Sequence, residues 1–341
     1  MKAMVLTEFG GPEALQLREL PTPPLRDQDV LVAVRAGGIC HHDILHRAGK
    51  LPGAKTNVVL GHETAGEIVA VGPNVKSRQV GDRVVVYQRR FCGVCRNCLR
   101  GRQDMCRAEG LPGVDTEGGY AEYVAVPAVA TVVVPDGLDW ISAALSSCPI
   151  ATSVRALRGV AGMAPGDTVL VTGASGGLGV HQLQLVRAFG GRSIAVTTSA
   201  DKAAKLRELG ADEVVVSPAL DYASQVWNLT GKRGVDIAIE NVGATLPETL
   251  RCMTHGGSVV LLGNIGTAPV AISPGLMIGR RLRLSGSGSA TFEDLQQSLS
   301  LLSSGAVQPV VAQTFSFPEA ARGHALLDGK GVAGRVMLQG W

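Results

Sequence analysis

The first 150 residues carry short runs of β-branched and apolar residues that are separated by glycine and proline turns. Typical runs are Val30–Val34, Glu67–Val71, Arg83–Tyr87 and Ala130–Val134. Runs of this kind, bounded by turn-forming residues, are typical of β-strands. The N-terminal part of the chain is therefore predicted to be β-rich and irregular.

The pattern changes from about Pro165, where apolar runs alternate with helix-like stretches. Strands are predicted for "DTVLVT" (167–172), "RSIAVTT", "ADEVVVS", "GVDIAIENVG" and "GGSVVLLG". The stretches that follow these strands, "GVHQLQLVRAFG", "ADKAAKLRELG", "YASQVWNLTG" and "LPETLRCM", predict helices. This alternation indicates βαβ units and a parallel sheet covered by helices. "RLRLSGSG" (281–288) can add a further strand, and the tail returns to mixed helix and strand.

Composition limits the classes of protein that remain. The 341 residues suffice for two domains, and 45% hydrophobic with 18% charged residues indicates a folded globular chain. The net charge of +3 and the lack of a long Lys/Arg run argue against a nucleic-acid or anionic-membrane partner. "MKAMVLTEFG" has no secretory pattern, and no apolar stretch reaches the length of a membrane span. We expect a cytoplasmic protein.

A glycine loop follows the first strand of the C-terminal pattern and precedes a helix. This order provides a tight turn, close backbone approach to a pyrophosphate, and a helix N-terminus that favours negative charge. A lone glycine loop can be an incidental turn, but here the strand, loop, helix and second strand all follow in order. The sequence therefore predicts dinucleotide binding. The loop residues predicted to contact the cofactor are Gly173, Ser175, Gly176, Gly177, Leu178 and Gly179.

The end of the second strand bears on which dinucleotide binds. NAD-binding proteins usually carry an acid there, whereas this chain has Thr197, Thr198 and Ser199, followed by Lys202. Hydroxyls and a lysine accept a 2′-phosphate, so NADP(H) is favoured over NAD(H). Asp201 fits better as an acid in the first turn of the next helix. Two more residues, Asn241 and Gly263, are also predicted to bind the cofactor.

Four of the seven cysteines form the array "CGVCRNCLRGRQDMC", with Cys92, Cys95, Cys98 and Cys106. In a chain without a signal peptide, such clustering favours metal ligation over disulfides. Four cysteines with no open position describe a structural zinc site. Iron–sulfur clusters use comparable spacings, but their fourth cysteine usually lies elsewhere. The array predicts a metal that supports local folding.

A second group of candidate ligands lies in "GICHHDILHR", which contains Cys40, three histidines and Asp43. "LGHETAGEIVAVG" adds His62 and Glu63 on a glycine turn before a strand. Taken alone, His62 would be an ordinary loop or core histidine. The composition of these two stretches does not decide which side chains bind a metal.

The chain resembles the zinc-dependent medium-chain dehydrogenase/reductase (alcohol dehydrogenase) superfamily. The motifs that carry the resemblance are "GICHHD", "GHETAGEIVAVG", "VGDRV", the four-cysteine array, "GGYAEY", the glycine loop and "GRVML", in family order over nearly the whole chain. The resemblance implies an α/β fold with a GroES-like, β-rich catalytic domain over 1–150 and 289–341, including the zinc lobe 92–106. It implies a doubly wound, parallel-sheet Rossmann domain over 151–288.

The resemblance also implies roles in a catalytic zinc site. Cys40 and His62 fall on the first two zinc ligands, and "SSCPIATSV" places Cys148 as the third and Thr152 near the nicotinamide. Taken alone, Cys148 could be a small buried core residue. Glu63 would be a transient ligand or lie just behind the ligands, and Arg335 in "GRVML" resembles its basic partner. Asp43 would fix the orientation of His62 by accepting its other ring N–H.

One position departs from the family pattern. Two residues after the first ligand the family usually has Ser or Thr, whose hydroxyl passes the substrate proton towards solvent, whereas this chain has His42. An imidazole can relay a proton, but it is bulkier. His41 is expected to be structural or near the cofactor. For His181, His255 and His324, which lie outside the motifs, a surface or loop position is expected.

Two reactions remain in view. The first is hydride transfer between NADP(H) and an alcohol or carbonyl compound, in a chain that holds one catalytic and one structural zinc. The second is NADPH-dependent reduction of an activated C=C bond, as in the enoyl-, acryloyl-CoA- or quinone-reductase branch of the superfamily. The loop "GASGGLG" of this chain resembles the glycine loop of that branch. A non-enzymatic NADPH-binding protein is disfavoured because all three ligands and Asp43 are retained. The partner would be a small-molecule substrate, and the family implies a homodimer or homotetramer.

Overall fold

A computed structural model describes residues 1–108, 110–329 and 331–341 of the chain. Its strands are β1 (Lys2–Leu6), β2 (Leu15–Glu19), β3 (Asp29–Ile39), β4 (Val58–Val59), β5 (Thr64–Val71), β6 (Arg83–Val86), β7 (Tyr123–Pro127), β8 (Thr131–Val133), β9 (Thr168–Val171), β10 (Arg192–Thr197), β11 (Glu213–Val216), β12 (Val235–Glu240), β13 (Met253–Leu261), β14 (Arg283–Gly286), β15 (Val311–Phe315) and β16 (Arg335–Gln339). Its α-helices are α1 (His41–Arg47), α2 (Trp140–Leu145), α3 (Ala151–Val154), α4 (Gly179–Ala188), α5 (Ala203–Glu208), α6 (Ala223–Leu229), α7 (Leu246–Cys252), α8 (Pro274–Arg280), α9 (Phe292–Ser303) and α10 (Ala320–Asp328).

The chain divides into two compact units. The first comprises Met1–Ala151, Ser289–Gly305 and Val311–Trp341. The second comprises Thr152–Gly288 and a short return segment, Ala306–Val310. The return segment lies between α9 and β15, which both belong to the first unit.

The first unit is built on antiparallel sheets. A seven-stranded sheet has the order β15-β16-β3-β5-β6-β8, with β7 pairing to β3, and β2-β1-β4 form a smaller sheet. Apart from the parallel pair β15–β16, all of these pairings are antiparallel. Strand β3 is eleven residues long and almost entirely buried, which its run of Val and Ala residues allows. It ends directly before Cys40, so this long, largely buried strand positions the first predicted ligand.

The second unit is a six-stranded parallel sheet in the order β11-β10-β9-β12-β13-β14. Strand β9, "TVLV", is buried at every position, as expected for a parallel strand with both faces covered. The order reverses between β9 and β12, and ligands of open α/β sheets bind beyond the carboxyl ends of the strands at such a switch point. The predicted α/β fold with a doubly wound parallel sheet is confirmed.

Several elements were not predicted from the hydrophobic pattern. Helix α1 forms over the histidine-rich stretch, and α10 forms shortly before β16. Strands β1 and β2 pair along their whole length near the N-terminus. Within the described parts of the chain, no helix has both the length and the apolar character that crossing a membrane requires.

Candidate metal centres and cofactor-binding loop

Helix α1 directs the side chains of "CHHDILHR" to different surroundings. Cys40 is its N-cap in an extended conformation, and the Asp43 carboxylate three residues later accepts the Cys40 backbone N–H at 2.9 Å. This reciprocal cap fixes the start of a helix of only seven residues. His46 points away to the backbone of Lys55, where its Nε2 lies 2.9 Å from the carbonyl oxygen and 3.2 Å from the amide nitrogen. His46 is therefore structural.

His62 and Glu63 follow a turn at Gly61, whose φ of 97° is in the left-handed region that favours glycine. A Cβ atom at Gly61 would also overlap the Tyr120 ring. Cys148 lies in a five-residue π-helical segment that follows α2 and contains Pro149. Such segments are frequent at functional sites. One ligand atom from each of Cys40, His62, Glu63 and Cys148 lies within 4.8 Å of the others, and all four belong to the first unit.

Asp43 is a buried carboxylate that accepts three hydrogen bonds. Besides the Cys40 amide, His62 Nδ1 donates to Oδ1 at 3.2 Å and the Tyr120 hydroxyl donates to Oδ2 at 3.1 Å. Burial alone would raise the pKa of Asp43, but the charge and the hydrogen bond of His62 hold it below its usual value. Burial, followed by the charge of Asp43, raises the pKa of Tyr120 well above its usual value, so the hydroxyl stays a donor. The network leaves His62 Nε2 as the ring nitrogen available to a metal.

The electrostatics of the ligands suit a cation. A hydrogen bond from Cys148 lowers the pKa of Cys40 well below its usual value against the opposing effect of burial, and the charges of Arg335 and His62 add to it. Burial would lower the pKa of His62, but the charge and hydrogen bond of Asp43, together with Cys40, raise it to about 10. Two thiols and one imidazole in a buried site form a donor set that zinc prefers. The residues present therefore fit a zinc ion.

Glu63 forms an ion pair with Arg335, the first residue of β16, although its carboxylate also lies among the candidate ligand atoms. The guanidinium contacts both carboxylate oxygens, with Nε 3.1 Å from Oε2 and Nη2 close to Oε1. Both side chains are buried. A Cβ at Gly38 would overlap Glu63 Oε2, so β3 needs glycine there to admit the carboxylate. If Glu63 stays with Arg335, the three predicted ligands Cys40, His62 and Cys148 would leave one coordination position of a zinc open.

His42 packs edge-on against His62, with ring centroids 5.5 Å apart and planes at 80°. Its Nδ1 is buried and has no hydrogen-bond partner among the described residues. Burial and the charge of His62 lower the pKa of His42. Thr152 begins the second unit on α3 and is buried. The proton-relay role of His42 and the position of Thr152 near the nicotinamide remain predictions.

The four cysteines of the array also converge. Their Sγ atoms lie 3.5 Å (Cys95–Cys98), 3.8 Å (Cys92–Cys106) and 4.0 Å (Cys92–Cys98 and Cys95–Cys106) apart. A zinc–sulfur bond of about 2.3 Å places the sulfurs of a tetrahedral site about 3.8 Å apart. Two 3-10 turns, Cys98–Arg100 and Gln103–Met105, bend the loop around this point. The array has the dimensions of a closed zinc–thiolate site.

In the second unit, the glycine loop connects β9 to α4. Gly173 has a φ of 56°, and a Cβ at Gly179 would overlap Ala174, so these two glycines allow the turn and the close helix packing. Ser175, Gly177 and Leu178 are half-buried between them, and Gly176 is exposed. Helix α4 begins at Gly179, directly after the loop. The first backbone N–H groups of such a helix are suited to a phosphate.

The other predicted cofactor residues also lie at carboxyl ends of strands. Thr198 is exposed, and Ser199 and Lys202 are half-buried, after the end of β10, while Asp201 lies in the first turn of the 3-10 helix Ala200–Lys202. The Asn241 amide donates to the Thr172 carbonyl at 2.8 Å and pairs with Gln182, so its side chain serves the protein.

Gly263 packs so closely on the Asn241 backbone that a Cβ would overlap its carbonyl oxygen. A largely apolar cavity of about 480 Å³ lies beyond the carboxyl ends of β12, β13 and β14. Its lining includes Gly243, Leu262, Gly263, Asn264 and Ser287. Cavities of this kind at strand ends are where open α/β sheets bind ligands.

Two histidines were placed wrongly from the sequence. His181 on α4 and His324 on α10 are fully buried, where a surface or loop position was expected, while His255 is exposed as expected. The sequence shows Tyr120 only as part of the motif "GGYAEY" and does not reveal its bond to Asp43. The two preceding glycines, which pack on the loop that carries His62, were the one local signal of this contact.

Comparison with known proteins defines the family. The family model "Alcohol dehydrogenase GroES-like domain" matches residues 26–136, and "Zinc-binding dehydrogenase" matches residues 177–304. An acryloyl-coenzyme A reductase of Sulfurisphaera tokodaii is 32% identical over 342 residues, covering 99% of this chain and 100% of that protein. An alcohol dehydrogenase of Geobacillus stearothermophilus is also 32% identical, covering 99% of each. The crystal structure of AibC is 40% identical, with a TM-score of 0.93 over 100% of this chain and 96% of that one.

The chain therefore belongs to the zinc-dependent medium-chain dehydrogenase/reductase superfamily, which includes the alcohol dehydrogenases, and it is an oxidoreductase.

Proposed function

We propose that this chain transfers a hydride between NADP(H) and an alcohol or carbonyl substrate at a zinc held by Cys40, His62 and Cys148. The observation that carries the proposal is the convergence of these three side chains in one buried site, with Glu63 tied to Arg335 beside them. A second zinc would be held by the four-cysteine array and would stabilise its loop.

The residues of the first unit have separable roles in this reaction. When bound, zinc acts as a Lewis acid towards a substrate oxygen, which favours alkoxide formation in one direction and carbonyl polarisation in the other. Asp43 holds His62 in the orientation that presents Nε2. His42, which lies against the His62 ring, accepts the alcohol proton during oxidation and returns it during reduction.

The second unit binds the cofactor. The glycine loop and the start of α4 bind the pyrophosphate, while Thr198, Ser199 and Lys202 accept the 2′-phosphate. Thr152 contacts the nicotinamide, and Gly263 borders the cavity at the strand ends. We further propose a homodimer or homotetramer, as the family implies, and a cytoplasmic location.

Reduction of a C=C bond in an α,β-unsaturated acyl-CoA is the second candidate. Two relatives of similar length, from Sulfurisphaera tokodaii and Metallosphaera sedula, are named acryloyl-coenzyme A reductases. His42 in place of a hydroxyl also favours it, because the usual relay of an alcohol proton is absent. Such a substrate still offers a thioester carbonyl to a Lewis acid.

A substrate screen separates the two candidates. Purified chain is tested for NADPH oxidation with an aldehyde, a ketone, an enone and acryloyl-CoA, and for NADP⁺ reduction with the matching alcohols. Turnover of the aldehyde or ketone, together with the reverse reaction, supports the first candidate. Turnover of acryloyl-CoA alone supports the second, and no turnover of any compound contradicts both. Lys202→Ala tests the cofactor preference, because it should raise KM for NADPH and leave KM for NADH unchanged.

A further inference from the structure

His181 lies in the first turn of α4 and is fully buried. Its Nδ1 lies 2.8 Å from the Gly177 carbonyl oxygen, and its Nε2 lies 3.1 Å from the Val310 amide nitrogen. A backbone amide can only donate, so Nε2 is the acceptor and the single ring proton resides on Nδ1. The neutral imidazole thus bridges the glycine loop and the return segment.

The bond to Gly177 bears on the direction of the next peptide N–H. In a planar trans peptide, the carbonyl of Gly177 and the amide of Leu178 point in opposite directions. When the carbonyl is held towards the His181 ring, the Leu178 N–H is turned away from it. Leu178 directly precedes α4, where backbone N–H groups have no partner within the helix and are suited to a phosphate.

We propose that His181 is a positioning residue for the cofactor, which orients the Gly177–Leu178 peptide so that the loop is prepared for the pyrophosphate. This inference rests on the proposed dinucleotide binding. Burial lowers the pKa of His181 to about 4, so the ring is neutral and keeps this pair of bonds at neutral pH.

The return segment fixes the ring from its other side. Gln184, one turn further along α4, donates to the Gln308 carbonyl at 3.0 Å and accepts from the Gln308 amide at 2.8 Å. These bonds dock the segment on α4 without touching the glycine loop. Gln184 therefore provides a control that loosens the same segment but leaves the Gly177 bond in place.

Calorimetric titration with NADPH, NADH and 2′-AMP tests the inference. His181→Phe keeps a ring of similar size but removes both bonds. We expect its Kd for NADPH to rise about tenfold, the factor for one hydrogen bond between the Leu178 N–H and the pyrophosphate, while its Kd for 2′-AMP, which lacks the pyrophosphate, stays unchanged. Gln184→Ala should keep the Kd for NADPH within about twofold of wild type.

A conservative variant distinguishes positioning from packing. Gln184 itself donates to the carbonyl four residues before it, at 3.3 Å from Val180, so His181→Gln can restore the bond to Gly177. We expect His181→Gln to recover most of the NADPH affinity, and His181→Leu replaces His181→Phe if the latter does not fold. Equal loss of affinity for NADPH and 2′-AMP, or no loss in either apolar variant, would overturn the inference. Wild-type chain that binds neither NADPH nor NADH would overturn the proposed function and this inference together.

Discussion

Asp43 connects three parts of the chain that are distant in sequence. Its carboxylate accepts from the Cys40 amide, the His62 ring and the Tyr120 hydroxyl. Partners of this kind hold a metal-binding histidine in one orientation and make it a better ligand. We therefore expect the affinity of the catalytic zinc to depend on a tyrosine that does not touch the metal.

Tyr120→Phe tests this dependence at a single atom. Removal of the hydroxyl leaves Asp43 with two donors, and we expect zinc affinity at the catalytic site to fall about tenfold. Competition with a chromophoric chelator measures the affinity. Tyr123→Phe, in the same "GGYAEY" motif but half-buried on β7, is the control and should change nothing. Equal affinities for wild type and Tyr120→Phe would contradict this role.

The Glu63–Arg335 pair makes a second prediction at the residue scale. Both side chains are buried, so Arg335→Met leaves an uncompensated carboxylate and should lower the free energy of unfolding by about 3–5 kcal/mol. Urea denaturation measures this loss. Arg322→Met breaks the exposed pair with Glu319 and should cost less than about 1 kcal/mol. Similar losses in the two variants would argue against a buried ion pair.

At this scale, the sequence predicts the ligands better than what supports them. Cys40, His62 and Cys148 stand in motifs of the family, and the proximity of their ligand atoms agrees with the ligand set those motifs imply. Tyr120 and the burial of His181 and His324 depend on which faces of distant elements pack together. Apart from the two glycines before Tyr120, the sequence contains no local signal for that packing.

The four-cysteine lobe is an element whose geometry follows from local spacing. Cys95→Ser should remove one zinc per chain and lower the melting temperature, because three remaining thiols no longer close the tetrahedron. Cys252→Ser, at a buried cysteine outside both groups, is the control for zinc content. Metal analysis of both variants checks the prediction, which fails if Cys95→Ser retains the zinc content of wild type.

Helices α4 and α10 each bury a histidine, and this gives a pH dependence. Burial lowers the pKa of both His181 and His324 from 6.5 to about 4. Between these values the unfolded chain binds protons that the folded chain does not, so acidification favours unfolding and stability rises with pH through this window. At pH 4 each histidine should lower the free energy of unfolding by about 3 kcal/mol relative to neutral pH, since one pKa unit corresponds to about 1.4 kcal/mol.

His324→Phe isolates one of these contributions. Urea denaturation from pH 7 to pH 4 should show a smaller loss of stability for the variant than for wild type, by about 3 kcal/mol. Both ring nitrogens of His324 lack a hydrogen-bond partner among the described residues, so no bond is lost in the variant. Parallel pH curves for the two proteins would show that His324 does not titrate in this way.

Among the elements, those with long apolar runs are predictable from the sequence. Short elements, and elements that form through tertiary contacts, are not. The strands and helices from β9 to β13 follow from apolar periodicity, because a parallel sheet buries both faces of its strands. Helix α1 has only seven residues and lacks an apolar face, so its cap rather than its pattern defines it. The π-helical turn at Cys148 likewise has no signature in the sequence.

At the scale of the whole molecule, each unit contributes a different part of the proposed chemistry. The first unit, built mainly of antiparallel strands, contains both candidate metal sites. The second unit, with its parallel sheet, contains the glycine loop at the switch point of that sheet. The alternation of strands and helices predicts that the sheet of the second unit is parallel, but not the order of its strands. The substrate does not follow from the sequence, because the shape of a pocket depends on loops without a pattern.

Zinc content and activity measured together in wild type and Cys40→Ala test the central claim most directly. A metal that polarises a substrate oxygen contributes several kcal/mol, and about 1.4 kcal/mol is a tenfold change in rate. We therefore predict two zinc ions per chain in wild type, one in Cys40→Ala, and a loss of NADPH-dependent turnover of at least about a hundredfold. One zinc per wild-type chain, with undiminished turnover in Cys40→Ala, would contradict the account.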